Sequence, residues 1–431
     1  MLTSNIDRDE RGVVRFAGQS VDALAEQFGT PLYLMDEERI RANCRMYRRA
    51  FAENFGPGAR VVYAGKAAAF KEIYRIMAQE GLGVDAVSVG EIHTALAAGF
   101  PAADICFHGD AKTDADICYA LDRGVGCFVV DNEGELAVLD AMARELGLVQ
   151  KALVRITPGI DPHTYEATNT GTVDVKFGVP IVTGQAEALV RAALAARNVA
   201  LAGLHCHVGS EVFDEDVFER TADVMADFMV RLRDELDYVP SELDLGGGYG
   251  VRYVDSDPAV DIPTRIAGVA ARLRERLEQA GLPMPRVMME PGRSIVADAG
   301  MTVYTVCTVK HIPDTKNYVT VDGGMADNPR YILYGARYTV LHGLRESADT
   351  EIFDLAGRCC ESGDVLQRAV ALPADVRRGD LVCVCTTGAY NYSMASNYNR
   401  LGRPPVVMLS GGSARVVVRR ETPEDLCALD V

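Results

Sequence analysis

No apolar run in this 431-residue chain approaches the ~20 residues that a membrane-spanning helix requires. Basic residues are scarce too: 44 Lys and Arg against 61 Asp and Glu give a formal charge of −17. Such a balance disfavours neutralising the phosphates of a nucleic acid, but it leaves room for a local basic pocket that takes a small anion. The eleven cysteines are an odd number, scattered, and nowhere spaced as CxxC, so a zinc site is not indicated. The neighbours Cys359 and Cys360 cannot easily bridge each other, and reduced thiols in a cytoplasmic protein fit best. The opening stretch MLTSNIDRDERG is polar and acidic, unlike a secretory or transit segment. The chain has no internal repeat and no low-complexity tract.

What is present is a set of eight short apolar runs: VVYA (61–64), VDAV (84–87), ICFH (105–108), CFVV (127–130), ALVRI (152–156), LHCH (204–207), LDLG (243–246) and VMME (287–290). Helical periodicity fills the gaps, as at Phe70, Ile73, Tyr74, Met77; at Phe218, Ala222, Met225, Met229, Leu232; and at Ile266, Val269, Ala270, Leu273, Leu277. Eight strands separated by helices predict a (β/α)₈ barrel, whose chemistry sits at the C-terminal strand ends. The long gap 157–203 also holds ATNTGTVDVKFG (167–178), an insertion placed to bind or cover a ligand. After about residue 300 the runs MTVYTVCTV, NYVTV, TEIFDLAG, DLVCVC, PPVVML and ARVVV predict an all-β domain, and GVVRFAG (12–18) has the same character and could complete it.

Four strand ends carry the chemistry. Lys66, in VVYAGKAAAF, leaves the first strand beside an apolar helix start, where poor solvation would make its amine a good Schiff-base former. A lone lysine there is more often one that snorkels to solvent, so its neighbours decide. LDLGGGYG (243–250) offers glycines whose amides can approach an anion, and EPGRS (290–294) adds a second turn, a carboxylate and an arginine. HCHVGS (205–210) contributes His207 and Ser210, where a core histidine and a functional one are about equally expected. A metal needs two or three clustered ligands, and none is expected here. A phosphate cradle, a Schiff-base lysine and an acid for a ring nitrogen together describe pyridoxal 5′-phosphate (PLP).

These residues resemble the fold-type III PLP-dependent amino-acid decarboxylases, the diaminopimelate decarboxylases most closely. The resemblance spans essentially the whole chain through YAGKA, GVDAVSVGE, FHGDAKT, HCHVGS, GGGYG, EPGR, VDGGMADNPR, CESGD and GAYNYSMASNYN, all in order. It implies an alanine-racemase-like barrel over 36–298 and a β-rich, sandwich-like domain from 1–35 plus 299–431. Lys66 would hold the cofactor covalently, Glu290 would pair with its ring nitrogen and His207 would lie against its ring. Asp85 and Arg155 would orient the lysine and the ring substituents, while Ser210, Gly247, Gly248, Gly292, Arg293 and Tyr390 would hold the phosphate.

On the substrate side the resemblance implies Arg293, Arg330, Tyr334 and Tyr390 around the distal carboxylate of meso-diaminopimelate, and Glu361 on its distal ammonium. Cys360 would return a proton after CO₂ leaves, giving L-lysine. Cys360 and Glu361 would act in the partner subunit's site, which implies a homodimer. Independently, a substrate with a carboxylate at each end needs guanidinium groups, which grip carboxylates bidentately. Two departures, Ala68 where the family commonly has Asn and Tyr331 where it usually has Pro, bear on substrate choice. The alternatives are a related decarboxylase of another diamino acid or a carboxylated polyamine precursor, a fold-type III racemase, and a non-catalytic PLP-binding barrel.

Overall fold

All eight apolar runs are strands of one parallel sheet. In the computed structural model, which describes residues 3–162 and 170–431, they are β1 (Arg60–Ala64), β2 (Gly83–Ala86), β3 (Ile105–Phe107), β4 (Cys127–Val130), β5 (Gln150–Thr157), β6 (Val199–His205), β7 (Glu242–Asp244) and β8 (Arg286–Met289). They pair in the order β5-β6-β7-β8-β1-β2-β3-β4, and β4 bonds back to β5, which closes the barrel. Of the insertion at 167–178, residues 167–169 lie outside the described residues.

The helices between strands carry the expected stripes. Ile73, Tyr74 and Met77 are buried on Lys71–Gln79, as are Phe218, Ala222, Met225, Met229 and Leu232 on Val217–Leu236. Among the described residues, four of these helices start at side-chain caps: Ser88 accepts from Glu91 N–H, Thr113 from Asp116, Asn132 from Glu135 and Asp261 from Thr264. Each cap satisfies an otherwise orphaned amide and contributes ~1 kcal/mol.

The barrel interior explains where the polar groups end up. Val62, Cys106, Cys127, Val129, Leu153 and Met288 form a buried apolar cluster. Residues two apart on a strand share a face. One step onward from Val62, Cys106, Val129, Leu153 and Met288 stand Ala64, His108, Asp131, Arg155 and Glu290. A dry floor thus gives way to a titratable layer at the C-terminal end.

One strand differs from its expected span. The sequence places the sixth strand at 204–207, whereas β6 runs Val199–His205, so Cys206 and His207 follow the strand. The register shifts between Leu201 and Gly203, and a Cβ at Gly203 would lie 1.8 Å from the Glu242 carbonyl oxygen. Ala and Gly around such a bulge hide a strand from a search for β-branched runs.

By contact the chain divides into two units, Asn43–Gly250 with Val260–Ser294, and Met1–Ala42 with Val251–Ala259 and Ile295–Val431. The second is strand-rich. Its large sheet orders Val365–Pro373, Thr350–Ala356, Lys316–Val321, Gly300–Ile312, Leu32–Asp36, Val406–Ser410 and Ser413–Val418, with Leu381–Cys385 and Val340–His342 alongside. All six C-terminal runs are strands of it. GVVRFAG does not complete this sheet: Val14–Phe16 joins a separate three-stranded sheet with Ile6–Arg8 and Gln19–Ser20. The strand that returns is Leu32–Asp36, buried along its whole length between Gly300–Ile312 and Val406–Ser410. Val14 and Phe16 still share a core with Leu32, Leu34, Met301 and Val407. No described helix is long and apolar enough to cross a membrane.

Candidate active site

Hydrogen-bond register sets three charged or ionisable side chains abreast. Arg155 of β5 pairs with His205 of β6, and His205 pairs with Asp244 of β7. On the other side Asp85 of β2 pairs with Ala64 of β1 and Cys106 of β3. Glu290, one residue past β8, is buried among them. His205 Nε2 lies 3.1 Å from Glu290 Oε2 in a hydrogen bond, and His108 Nε2 comes within 2.9 Å of Oε1. That second approach is out of line, so Oε1 has no hydrogen-bond partner among the described residues.

Burial and charge pull against each other here. Burial would raise the Glu290 carboxyl, but His108 and His205 hold it well below the usual carboxylate range. Burial, reinforced by Glu290, drives the Asp244 carboxyl far the other way, well above the usual carboxylate range. Burial also pushes His205 down to about 4, and it holds His207 well below the usual imidazole range with help from Lys66 and Arg155. His207 accepts a 3.2 Å hydrogen bond at Nδ1 from Gly247 N–H, which fixes its neutral tautomer. Among the described residues, the ligand atoms of His108, His205 and Glu290 lie within 4.8 Å of one another. The imidazole–carboxylate pairing already accounts for that approach.

Lys66 departs from expectation. It stands in a 3₁₀ turn, Gly65–Ala67, and is exposed, while Ala64, Ala67 and Ala68 around it are buried. The turn lifts it clear of the apolar helix start, so it is not the poorly solvated lysine that its neighbours suggest. Beside it Glu91, pushed up to about 7 by burial, accepts from Val87 N–H at 2.9 Å.

The glycine turn after β7 allows no side chains. A Cβ on Gly247 would lie 2.1 Å from the Glu290 carbonyl oxygen, and on Gly248 2.0 Å from that of Gly209. Gly248 also has φ +126°, a backbone conformation that favours glycine. Gly248→Ala should therefore cost at least ~2 kcal/mol and lower retention of any ligand held there. A thermal melt matching wild type would contradict this. Next to the turn, Arg293 donates to Ser210 Oγ at 3.0 Å and is 3.3 Å from Glu211. A Cβ on Gly292 would meet Ala64 and Ala67 Cβ at 3.0 Å.

The strand-rich unit holds the remaining predicted residues. Arg330 is 2% exposed, donates to Tyr338 Oη at 2.7 Å, and is ringed by Tyr253, Tyr338 and Tyr390 at 5.0, 5.6 and 5.9 Å. Tyr390 has φ +62°, which for an aromatic residue signals a constrained loop. Tyr334 is half-buried on the same short helix as Arg330. Cys360 and Glu361 are exposed, and Tyr398 Oη donates to Glu361 at 2.7 Å. Their turn is clamped by Asp364, which accepts from Met325 N–H and Cys359 N–H at 2.7 Å each.

Comparison with known proteins identifies the lineage. The family model "Pyridoxal-dependent decarboxylase, pyridoxal binding domain" matches residues 37–297. Diaminopimelate decarboxylase of Bacillus subtilis is 41% identical over 98% of this chain and 96% of its own length. That of Mycobacterium tuberculosis is 42% identical over 99% and 97%. The crystal structure of the M. jannaschii diaminopimelate decarboxylase in co-complex with L-lysine superposes with TM-score 0.92, at 34% identity, over 100% of this chain and 99% of that one. The chain belongs to the diaminopimelate decarboxylases. It is a PLP-dependent carboxy-lyase.

The residues present fit that cofactor. Glu290 is a buried anion with one oxygen open to a donor, as a protonated ring nitrogen requires. Ser210, Gly248, Gly292 and Arg293 supply the hydroxyl, the close backbone approach and the cation that suit a phosphate, while the Gly246 and Gly247 amides are already given to Asp244 Oδ1 and His207 Nδ1. Lys66 offers an exposed amine. Sequence reasoning missed His108, His205, Asp244, Glu91, Tyr253, Tyr338 and Asp364. Several lie inside quoted motifs, and the period-two step from a buried strand residue would have singled out His108.

A pH effect on stability follows from His205. Its folded value near 4 lies below the ~6.5 of a free imidazole, so the unfolded chain binds more protons between the two. Stability present above pH ~6.5 is then lost as pH falls toward ~4, by ~3 kcal/mol from this group. His205→Gln should shrink the acid loss of the urea midpoint. Equal losses in both proteins would count against it.

Proposed function

We propose that this enzyme decarboxylates meso-diaminopimelate at its D-centre, releasing CO₂ and L-lysine. The observation that carries the reading is the buried Glu290 carboxylate just past β8, which pairs with β1, the strand that Lys66 follows. Near-full-length likeness to diaminopimelate decarboxylases supports the substrate. When bound, the cofactor supplies an electron sink for the bond that breaks.

The chain's own residues do the rest. Lys66 provides the amine that tethers the cofactor, and Glu290 keeps its ring nitrogen protonated by offering Oε1 as an anionic acceptor. His207, held neutral, can pack against the ring without adding charge. Asp85 and Arg155 orient the lysine and the ring substituents. Ser210, Gly247, Gly248, Gly292, Arg293 and Tyr390 bind the phosphate. Arg330, with Tyr334, Tyr390 and Arg293, grips the distal carboxylate, and Glu361 takes the distal ammonium. The Cys360 thiol delivers a proton to the carbon that lost CO₂.

Cys360 and Glu361 serve the site of a second copy, so the working unit is a homodimer. Mixing Lys66→Ala with Cys360→Ala protein tests this directly. If subunits exchange freely, half of the dimers are hybrids with one intact site of two, and about a quarter of wild-type activity returns. No recovery despite demonstrated exchange would rule out a shared site.

A further inference from the structure

His108 stands at the centre of the buried charges, and the proposed mechanism gives it no part. It is 3% exposed, follows β3, and points its Nε2 at two carboxylates: Glu290 Oε1 at 2.9 Å and Asp85 Oδ1 at 3.7 Å. Its ring meets that of His205 edge-on, with centroids 5.0 Å apart. Both carboxylate oxygens, and His108 Nε2 itself, lack an aligned hydrogen bond among the described residues. Two carboxyl groups brought together in a barrel interior repel when both ionise, burial raises Asp85, and a proton on the imidazole between them relieves the repulsion.

We infer that His108 is a positioning residue for the cofactor, a cation bridging Asp85 and Glu290 that holds Glu290 ionised and aimed at the cofactor's ring nitrogen. A carboxylate oxygen has two lone pairs, so Oε1 can face His108 with one and a ring N–H with the other. The groups facing His108 agree in sum: Asp85 and Glu290 favour its cation, burial and Arg155 oppose it, and its titration lies above that of a free imidazole. His205 is pushed the other way by burial. The two histidines on Glu290 therefore divide the labour, one charged and one neutral.

The inference rests on Glu290 facing the ring nitrogen, and the experiment separates the two. PLP affinity and the visible band of the bound cofactor are measured for wild type, His108→Gln, Glu290→Gln and the double variant. His108→Gln should weaken PLP binding by about tenfold to a hundredfold, the worth of a hydrogen bond to a charged group, and move the band. In the Glu290→Gln background the same change should have less than about a twofold effect, because no anion is left to hold.

An undiminished His108 effect in that background, or no effect with Glu290 intact, would overturn the inference. If Glu290→Gln alone moves neither readout, the reading of Glu290 itself fails. Should His108→Gln fold poorly, ¹⁵N NMR of histidine-labelled wild type decides, with His108→Asn used for assignment. The seven histidines should include one imidazole that stays cationic above the pH at which a free imidazole titrates. A neutral His108 there overturns the proposal.

Discussion

Lys66→Ala should abolish turnover, with kcat lower by at least ~10³-fold, or ~4 kcal/mol of transition-state stabilisation. The variant should fold normally, because Lys66 is exposed in a short turn whose buried neighbours, Ala64, Ala67 and Ala68, are untouched. Loss of activity would then report chemistry rather than stability. The direct check is borohydride reduction of the PLP-loaded protein followed by peptide mass analysis, alongside CO₂ release from meso-diaminopimelate. Wild type should carry the reduced adduct at position 66 and the variant none. An adduct on another lysine, or activity within tenfold of wild type, would remove the foundation of the mechanism.

The second large effect is expected at Arg330. Its guanidinium is buried, bonded to Tyr338 and enclosed by three tyrosine rings, a setting that fixes the direction of the fork. Arg330→Lys keeps the charge but loses the planar, bidentate grip and the stacking. For meso-diaminopimelate kcat/KM should fall by ~10²–10³-fold, or about 3–4 kcal/mol. The same substitution should cost little with D-lysine, which has the amines but lacks the distal carboxylate. Equal losses on both substrates would show that Arg330 supports the fold or the cofactor instead, and substrate recognition would have to be sought elsewhere. Tyr338→Phe provides an independent handle, since it removes the acceptor of the 2.7 Å bond while leaving the cage.

Much of this was legible in the sequence because strands in a parallel barrel are short, apolar and regularly spaced. Eight runs and the stripes between them gave the barrel, and the residues ending the first and last runs singled out Lys66 and Glu290. What stayed hidden has specific causes. The start of β6 was masked by Ala and Gly around a bulge. Leu32–Asp36 is far in sequence from its partners at Gly300–Ile312 and Val406–Ser410, so no local pattern reveals that it completes the large sheet. Lys66 was expected to be desolvated, since apolar neighbours in sequence do not say which way a turn projects a side chain.

Sequence alone determined the alternation of strand and helix, because burial against a shared core imposes periods of 2 and 3.6 on any chain that folds this way. It also supplied the identities of the amine, the acid and the glycine turn, since those depend on residue type and local backbone. Only the tertiary structure decided which groups share a proton. Register across β5, β6 and β7 sets Arg155, His205 and Asp244 abreast, and barrel closure brings β8 beside β1 and His108 to Glu290. The low Glu290 carboxyl, the depressed His205 and the raised Asp244 arise from those through-space neighbours and from lost water, neither of which is written in the order of residues.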